Sequence, residues 1–361
     1  MRFKSICSEA WRNLSSGTSR TLLMFLAVFM IGGLLGGYEA LTVGGLEATA
    51  AARINAQADT KTVLGAPVDG RQCDRISSVD KGPQASGAIR KGPQLTPLST
   101  PGKDLASFEV TPGILDLILT GPKNRAAPSN PSGVWVPTDL AKDFGLSAGS
   151  RFETDHGTIR VAGIFDWPND GRDTRFQYAV ITPVSSGDGV FNECWAKQWP
   201  ASPQGDSLLY STTLVSSGKS QSGIMPLNKG YDSHYDAVAS YRGRLTVWLP
   251  LVGLAVGLLL GIISVHRRRL EYAGALHSGQ GKGAQLVGMG LETACWSGLG
   301  LICTGGVLLA VTRVVALADP WLVLWTAMRT PLALFAGCLI GALASGCLIR
   351  ESRLFALFKD R

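Results

Sequence analysis

The amino-acid sequence predicts a membrane protein: four transmembrane α-helices, with a large extracytoplasmic mixed α/β domain between the first and the second. Three observations carry the prediction. Four long apolar runs lie at the two ends of the 361-residue chain, Thr21–Val43, Leu245–Val265, Leu286–Val311 and Pro331–Ile349. Each reaches or nearly reaches the roughly 20 apolar residues that a bilayer core requires of a helix. The middle, residues 50 to 240, has the polarity of an ordinary globular domain, although the chain as a whole has a positive mean hydropathy and a net charge of +7.

The third observation is where the basic residues fall. Arg2, Lys4, Arg12 and Arg20 precede the first run, Arg267, Arg268, Arg269 and Lys282 follow the second, and Arg350, Arg353, Lys359 and Arg361 follow the fourth. Between the third and fourth runs there is only Arg329, with Arg313 at the end of the preceding run. Lys and Arg in short loops are retained on the cytoplasmic side, whereas long domains translocate largely regardless of charge. The expected placement is the cytoplasmic membrane, with both termini and the His266–Gln285 loop inside and the middle domain outside.

Taken in order, residues 1–19 form a cytoplasmic interfacial helix. Phe3, Ile6, Cys7, Ala10, Trp11 and Leu14 fall at helical spacing, with basic residues elsewhere on the surface and a Trp suited to headgroup level. Transmembrane helix 1 occupies 20–43. A basic start, an apolar stretch and Ala48-Thr49-Ala50 also fit a cleaved leader, but the run is longer than a usual leader core. The extracytoplasmic domain spans 44–244. Helix 2 follows at 245–265, a basic cytoplasmic loop or helix at 266–285, helix 3 at 286–317, an outer loop at 318–330, helix 4 at 331–349 and a cytoplasmic tail at 350–361.

Small residues recur along the apolar runs. Gly32 and Gly36, each followed by another Gly, form overlapping G-x-x-x-G pairs; Gly253, Gly257 and Gly261 form a stricter row, and Gly337, Gly341 and Ser345 a third. Such rows let helix backbones approach closely, within one chain or across a dimer. No run carries a charge near its middle. Glu292, just inside the third run, is expected to reach headgroups or pair with an arginine of the 266–285 loop.

Within the middle domain, 44–105 reads as loosely organised, rich in Ala, Gly, Pro, Ser and Thr, with Lys-Gly-Pro-Gln occurring twice, at 81–84 and 91–94. Glu109–Thr120 reads as a strand and a short helix. Val134–Val136 reads as a strand, and Asp139–Phe144 as a helix stopped by Gly145. Arg151–Thr154 and Thr158–Phe165 form a hairpin around Asp155-His156-Gly157, followed by a turn at Pro168–Gly171 and a strand at Tyr178–Thr182. Of seven cysteines only Cys73 and Cys194 lie in this domain, and an isolated pair in an oxidising compartment is expected to be bridged.

Gly279-Gln280-Gly281-Lys282-Gly283 superficially resembles a phosphate loop. Its first Gly is out of register, no Ser or Thr follows the Lys, and no strand precedes it. The four histidines are scattered, so no metal cluster is expected. The basic residues of the middle domain are dispersed, which argues against a nucleic-acid partner. No catalytic set is legible.

The layout and several segments resemble the MacB/FtsX-like permeases of ATP-binding-cassette systems, the type VII, mechanotransmission class. Glu9-Ala10-Trp11-Arg12-Asn13-Leu14 and Arg20-Thr21 resemble that family's entry helix. Arg268, Arg269, Glu271, Ala273, Gly279, Gln285 and Glu292 fall in matching places of its second-span exit. Leu140–Leu146 and Val161–Phe165 resemble the end of its outer domain. Ala275, Leu276 and His277 stand where the family usually has Leu-Arg-Ala.

The resemblance implies a non-catalytic permease subunit, paired with a second permease chain as a homodimer or heterodimer. A cytoplasmic ABC ATPase would bind ATP and Mg, and the 266–285 loop would be the coupling element, with Arg268, Arg269, Glu271 and Gly279 as its contacts. The implied activity is export or extraction of a peptide, lipopeptide, lipoprotein or amphipathic drug without a solute channel. An FtsX-like signalling subunit that activates a cell-wall hydrolase, and a membrane-anchored binding protein with no ATPase, are the alternatives.

Overall fold

In the computed structural model, residues 3–16, 20–119, 133–214 and 222–349 are described; Arg2 and the basic residues from Arg350 onward lie outside them. The chain divides into two compact units, one of Met1–Thr49 with Ala239–Arg361 and one of Ala50–Val238.

The helical unit begins with α1 (Phe3–Ser15) and α2 (Thr21–Asn55), whose residues to Thr49 belong to it. The chain returns to it along α7 (Ala237–Arg242), numbered in chain order, and continues with α8 (Leu249–His266), α9 (Arg269–His277), α10 (Lys282–Val315) and α11 (Pro320–Leu348). Among the described residues four helical segments are long and apolar enough to cross a membrane: Thr21–Asn55, Ala237–His266, Lys282–Val315 and Pro320–Leu348.

In lipid, apolar helices gain no hydrophobic energy by associating, so close backbone contact has to hold them together. The α8–α11 seam is built that way. Gly253, Gly257 and Gly261 of α8 are buried, and a Cβ on Gly257 or Gly261 would run into the backbone of Leu334 or Cys338. Gly337 and Gly341 of α11 press equally on the backbone of Leu254 and Leu258. On α2, Gly32 and Gly36 are buried against Thr304 and Leu308 of α10 and Ala327, Pro331 and Leu334 of α11. Gly33 and Gly37 face open space.

Two element boundaries lie about three helical turns from the sequence reading. The first helix runs on to Asn55, because the Ala-rich residues after Val43 are good helix formers although too polar to extend an apolar run. The 318–330 stretch is not a loop. Asp319 caps the next helix by accepting from the Trp321 and Leu322 amides (2.9 and 3.4 Å), and α11 then continues through Pro331. A proline inside an apolar helix is tolerated where neighbouring helices pack around it, and Pro331 is buried there.

The middle unit is a nine-stranded mixed sheet with short helices on its faces. Its elements are β1 (Thr60–Leu64), β2 (Val68–Asp69), α3 (Gly70–Arg75), β3 (Ala85–Lys91), β4 (Ala106–Val110), α4 (Pro112–Leu119), β5 (Val134–Pro137) and α5 (Thr138–Asp143). They continue with β6 (Arg151–Thr154), β7 (Gly157–Phe165), β8 (Ala179–Pro183), β9 (Val190–Phe191), β10 (Glu193–Lys197), α6 (Pro203–Ser211) and β11 (Gly223–Pro226). The strand order is β11-β1-β10-β3-β4-β8-β5-β7-β6, with β2 and β9 paired separately. The pairs β4–β8 and β5–β7 are parallel; the other neighbours in the sheet are antiparallel.

The β6–β7 hairpin turns at Asp155-His156-Gly157, with Gly157 at φ +105°. Gly145, at φ +60°, follows α5 in the left-handed conformation that ends many helices. One core joins Phe108, Phe176, Trp167 and Trp195, whose rings lie 5.2–5.3 Å apart in successive contacts with Phe176. A second core holds Val63, Val68, Ala88, Phe191 and the disulfide between Cys73 and Cys194, whose Cα atoms are 5.8 Å apart. This bridge ties α3 to β10 across 121 residues of sequence.

The 44–105 region, read from composition as loosely organised, contains α2's end, three strands and α3. Its small residues have a packing reason. A Cβ on Gly87 of β3 would meet the Ile114 amide nitrogen, and one on Gly113 would overlap the Ser86 carbonyl, so α4 sits directly on the strand backbone. The two Lys-Gly-Pro-Gln copies flank β3 at its two ends, the second beginning with its last residue.

Candidate functional site

The site is built where the last turn of α8, the short α9, the start of α10 and α1 meet. The apolar run of α8 ends at Val265, and the chain leaves helical geometry at Arg268 (φ −107°, ψ 15°), which precedes α9. Gly279 ends α9. Its φ is +90°, its amide donates to Leu276 O and the Gln280 amide to Ala275 O, both at 3.0 Å, the paired bonds of a helix stop that needs glycine at this position. A Cβ there would meet nothing; it is the backbone angle that calls for Gly.

Arg268 is the hub. Its side chain is only 11% exposed; Nε donates to Glu271 (2.8 Å) and Nη1 to Glu292 (2.5 Å), and the guanidinium lies 4.9 Å from the Tyr272 ring centre. Glu292, 8% exposed, also accepts from Asn13 Nδ2 of α1 at 2.7 Å, so each of its oxygens has a donor. Gln285 Nε2 donates to the Tyr272 carbonyl at 2.7 Å. Lys282 Nζ donates to the Gly346 and Ile349 carbonyls (2.8 and 2.5 Å), capping the end of α11 with a side chain from α10.

Burial pulls the Arg268 pKa down, but its partners, the Glu271 and Glu292 carboxylates among them, more than offset it, so the guanidinium is held charged above its ordinary value. Burial and then Glu292 push the Tyr272 phenol well above its usual value. Tyr272 therefore stays neutral in the range where proteins work.

A cavity of about 180 Å³ lies inside this block, lined among others by Glu9, Asn13, Arg268, Tyr272, Gln285 and Glu292. The exposed strip of α9 is Glu271, Gly274, His277 and Ser278, at the spacing of one helix face, while Ala273 on the opposite side is fully buried.

The residues read from sequence as coupling contacts thus separate. Glu271 is exposed on α9. Arg269 has Nη1 3.4 Å from His266 Nε2. Arg268 is turned inward and holds the block together, and Gly279 shapes the chain. Glu292 pairs with an arginine of the loop, one of the two partners expected for it. Asn13, Tyr272 and Gln285 also belong to the site, although no sequence pattern assigns them a contact there.

A second buried pair escapes the sequence reading altogether. Glu39 of α2, 4% exposed, accepts from Arg244 Nε at 3.1 Å, and Arg244 Nη1 donates to the Tyr241 carbonyl at 2.6 Å. Glu39 Oε2 is buried without a hydrogen-bond partner. The only sequence signal is a lone carboxylate near the end of an apolar run.

Among the described residues no group of three or more His, Cys, Asp or Glu is placed to hold a metal ion. Gly279–Gly283 joins one helix to another, and its lysine is engaged by carbonyls of α11.

No family model matches the chain, and no curated protein matches it. Among solved structures it is similar to the periplasmic region of MacB from Actinobacillus actinomycetemcomitans, at 14% identity over 46% of this chain and 88% of that one, with a TM-score of 0.32. It is also similar to a domain of a putative permease protein from Porphyromonas gingivalis, at 12% identity over 48% of this chain and 88% of that one, with a TM-score of 0.32.

Proposed function

We propose that this chain is the permease subunit of an ABC-type system in the cytoplasmic membrane. Its α9 receives motion from a separate cytoplasmic ATPase, and the helices pass that motion to the α/β unit on the far side, to export or extract an amphipathic cargo. The observation that carries this reading is the block around Arg268. One buried guanidinium joins α9 to α10 through Glu271 and Glu292, and Asn13 joins α1 to the same carboxylate. A push on the exposed face of α9 is therefore delivered to α1 and α10 together.

Two features support the reading. The α8–α11 seam is meshed through backbone, so those helices move as one body. The buried charges described at the helices are paired at the ends of the runs, as suits a device that transmits force without conducting ions. The chain itself then binds no nucleotide; ATP and Mg belong to the partner, and a second permease chain completes the assembly.

Purification in mild detergent tests the proposal. An ATP-hydrolysing polypeptide is expected to co-purify, and Glu271→Lys is expected to leave membrane insertion intact while uncoupling ATP turnover from cargo release. If no ATPase accompanies the chain, the proposal fails. If the ATPase is present and deletion produces only a cell-separation defect, the cargo step fails and hydrolase activation takes its place.

A further inference from the structure

The α/β unit carries a cleft of about 690 Å³, within the range of small-molecule sites. It opens where β1 and β3 end and β4 and β10 begin: Val63 pairs with Cys194, Glu193 with Ile89, and Lys91 with Phe108. The lining is divided by chemistry. Phe108 and Phe191, which belong to two separate cores, are buried in the lining, Val190 is 53% exposed at the rim, and Arg90, Lys91 and Arg175 supply positive charge.

The acidic groups nearby are already engaged. Glu193 accepts from Arg175 Nη1 and Nη2 (2.5 and 3.1 Å), Trp195 Nε1 (3.0 Å) and Thr62 Oγ1 (3.4 Å). Glu109 accepts from Arg90 Nε at 2.5 Å, and Arg90 Nη1 donates to the Asp188 carbonyl. Arg175 is further engaged by Asp173 through Nε at 3.0 Å. Lys91 is exposed and makes no ion pair among the described residues. Because Lys91 and Phe108 are cross-strand partners, their side chains leave the same side of the sheet. An ammonium with no ion-pair partner among the described residues thus stands on the side of the sheet that carries Phe108.

We infer that this cleft binds a single-chain anionic amphiphile, a carboxylate or phosphate monoester on an alkyl chain. The head is held by Lys91, and the chain lies against Phe108 on the same side of the sheet. The disulfide fixes Cys194, the residue after Glu193, and so steadies one wall. The inference deepens the proposed export reading by naming a cargo class, and it rests on that reading only for the fate of the amphiphile once bound.

The test uses the full chain in nanodiscs, without nucleotide, and a medium-chain fatty acid bearing a diazirine. Photolabelling is expected in peptides holding residues 64–67, 89–91 or 190–193. The corresponding alcohol should label them about tenfold less, the scale of one charge-assisted hydrogen bond. Lys91→Glu, an exposed substitution, should lower labelling by a similar factor without moving the melting temperature. Displacement by an alkyl phosphate at lower concentration than by an unlabelled fatty acid assigns the head to phosphate, and the reverse to carboxylate. Absence of label from these peptides, equal labelling by the alcohol, or undiminished labelling of the Lys91→Glu chain overturns the site. Labelling of a chain that brings no ATPase leaves the cleft and removes the transport reading; an ATPase without labelling does the opposite.

Discussion

Among its described residues the helical unit holds two buried ion pairs, and they are built differently. Glu292 has both oxygens satisfied, one by Arg268 and one by Asn13, and Arg268 reaches a second carboxylate on α9. Glu39 has Arg244 on one oxygen and nothing on the other, although it is equally buried. The first pair is a network with redundancy; the second is a single link with an unmet acceptor. Removing one partner of a buried pair leaves an uncompensated charge, so cost depends on what remains nearby. The network should lose least when cut, and the single link most.

Five variants probe that contrast, with melting in detergent as the common readout. The largest effect lies outside both pairs and serves as a reference. Replacing Cys73 and Cys194 by Ser should destabilise the α/β unit by about 4–5 kcal/mol on the chain-entropy model, for a loop closed across 121 residues. It should leave the difference between the two ion pairs unchanged; if that difference moved, the pairs would not be local devices.

Next, Arg244→Met strands Glu39 and should cost about 3–5 kcal/mol. Arg268→Met should cost less, about 2–3 kcal/mol, because the Asn13 amide still serves Glu292. An equal loss for the two would remove the redundancy argument. Adding Asn13→Ala to Arg268→Met should bring its loss up to that of Arg244→Met. Smallest is Glu271→Lys. Its pair is half exposed, so less than about 1 kcal/mol is expected, and a larger loss would make Glu271 a structural residue rather than a contact.

The two pairs were unequally legible. Glu292 stood out because a carboxylate just inside an apolar run, close to a basic loop, has few inexpensive partners. Glu39 and Arg244 are 205 residues apart with a whole unit between them, and nothing local marks them as partners. The same division holds for the fold. The β6–β7 hairpin and the stop at Gly145 are written in turn residues and could be read directly. β1, β3 and the first residues of α11 could not: β3 is small-residue because a helix backbone rests on it, and α11 passes through a proline that would ordinarily mark a start. Composition reports such contacts only after the neighbour is known. Within the site, Gly279 and Arg268 make different contributions, one through its backbone angle and the other through inward ion pairs.

The central claim, that α9 is the surface an ATPase engages, is tested most directly by site-specific crosslinking in native membranes. A photoreactive side chain at Gly274 fits without displacing anything, since a Cβ there meets no neighbouring atom. The expected product is a covalent adduct with an ATP-hydrolysing polypeptide from position 274, and none from Gly37, which also faces open space but lies within an apolar helix. Failure of position 274 and of its neighbours Glu271 and Ser278 to capture any ATPase, in cells where the chain is functional, would contradict the claim.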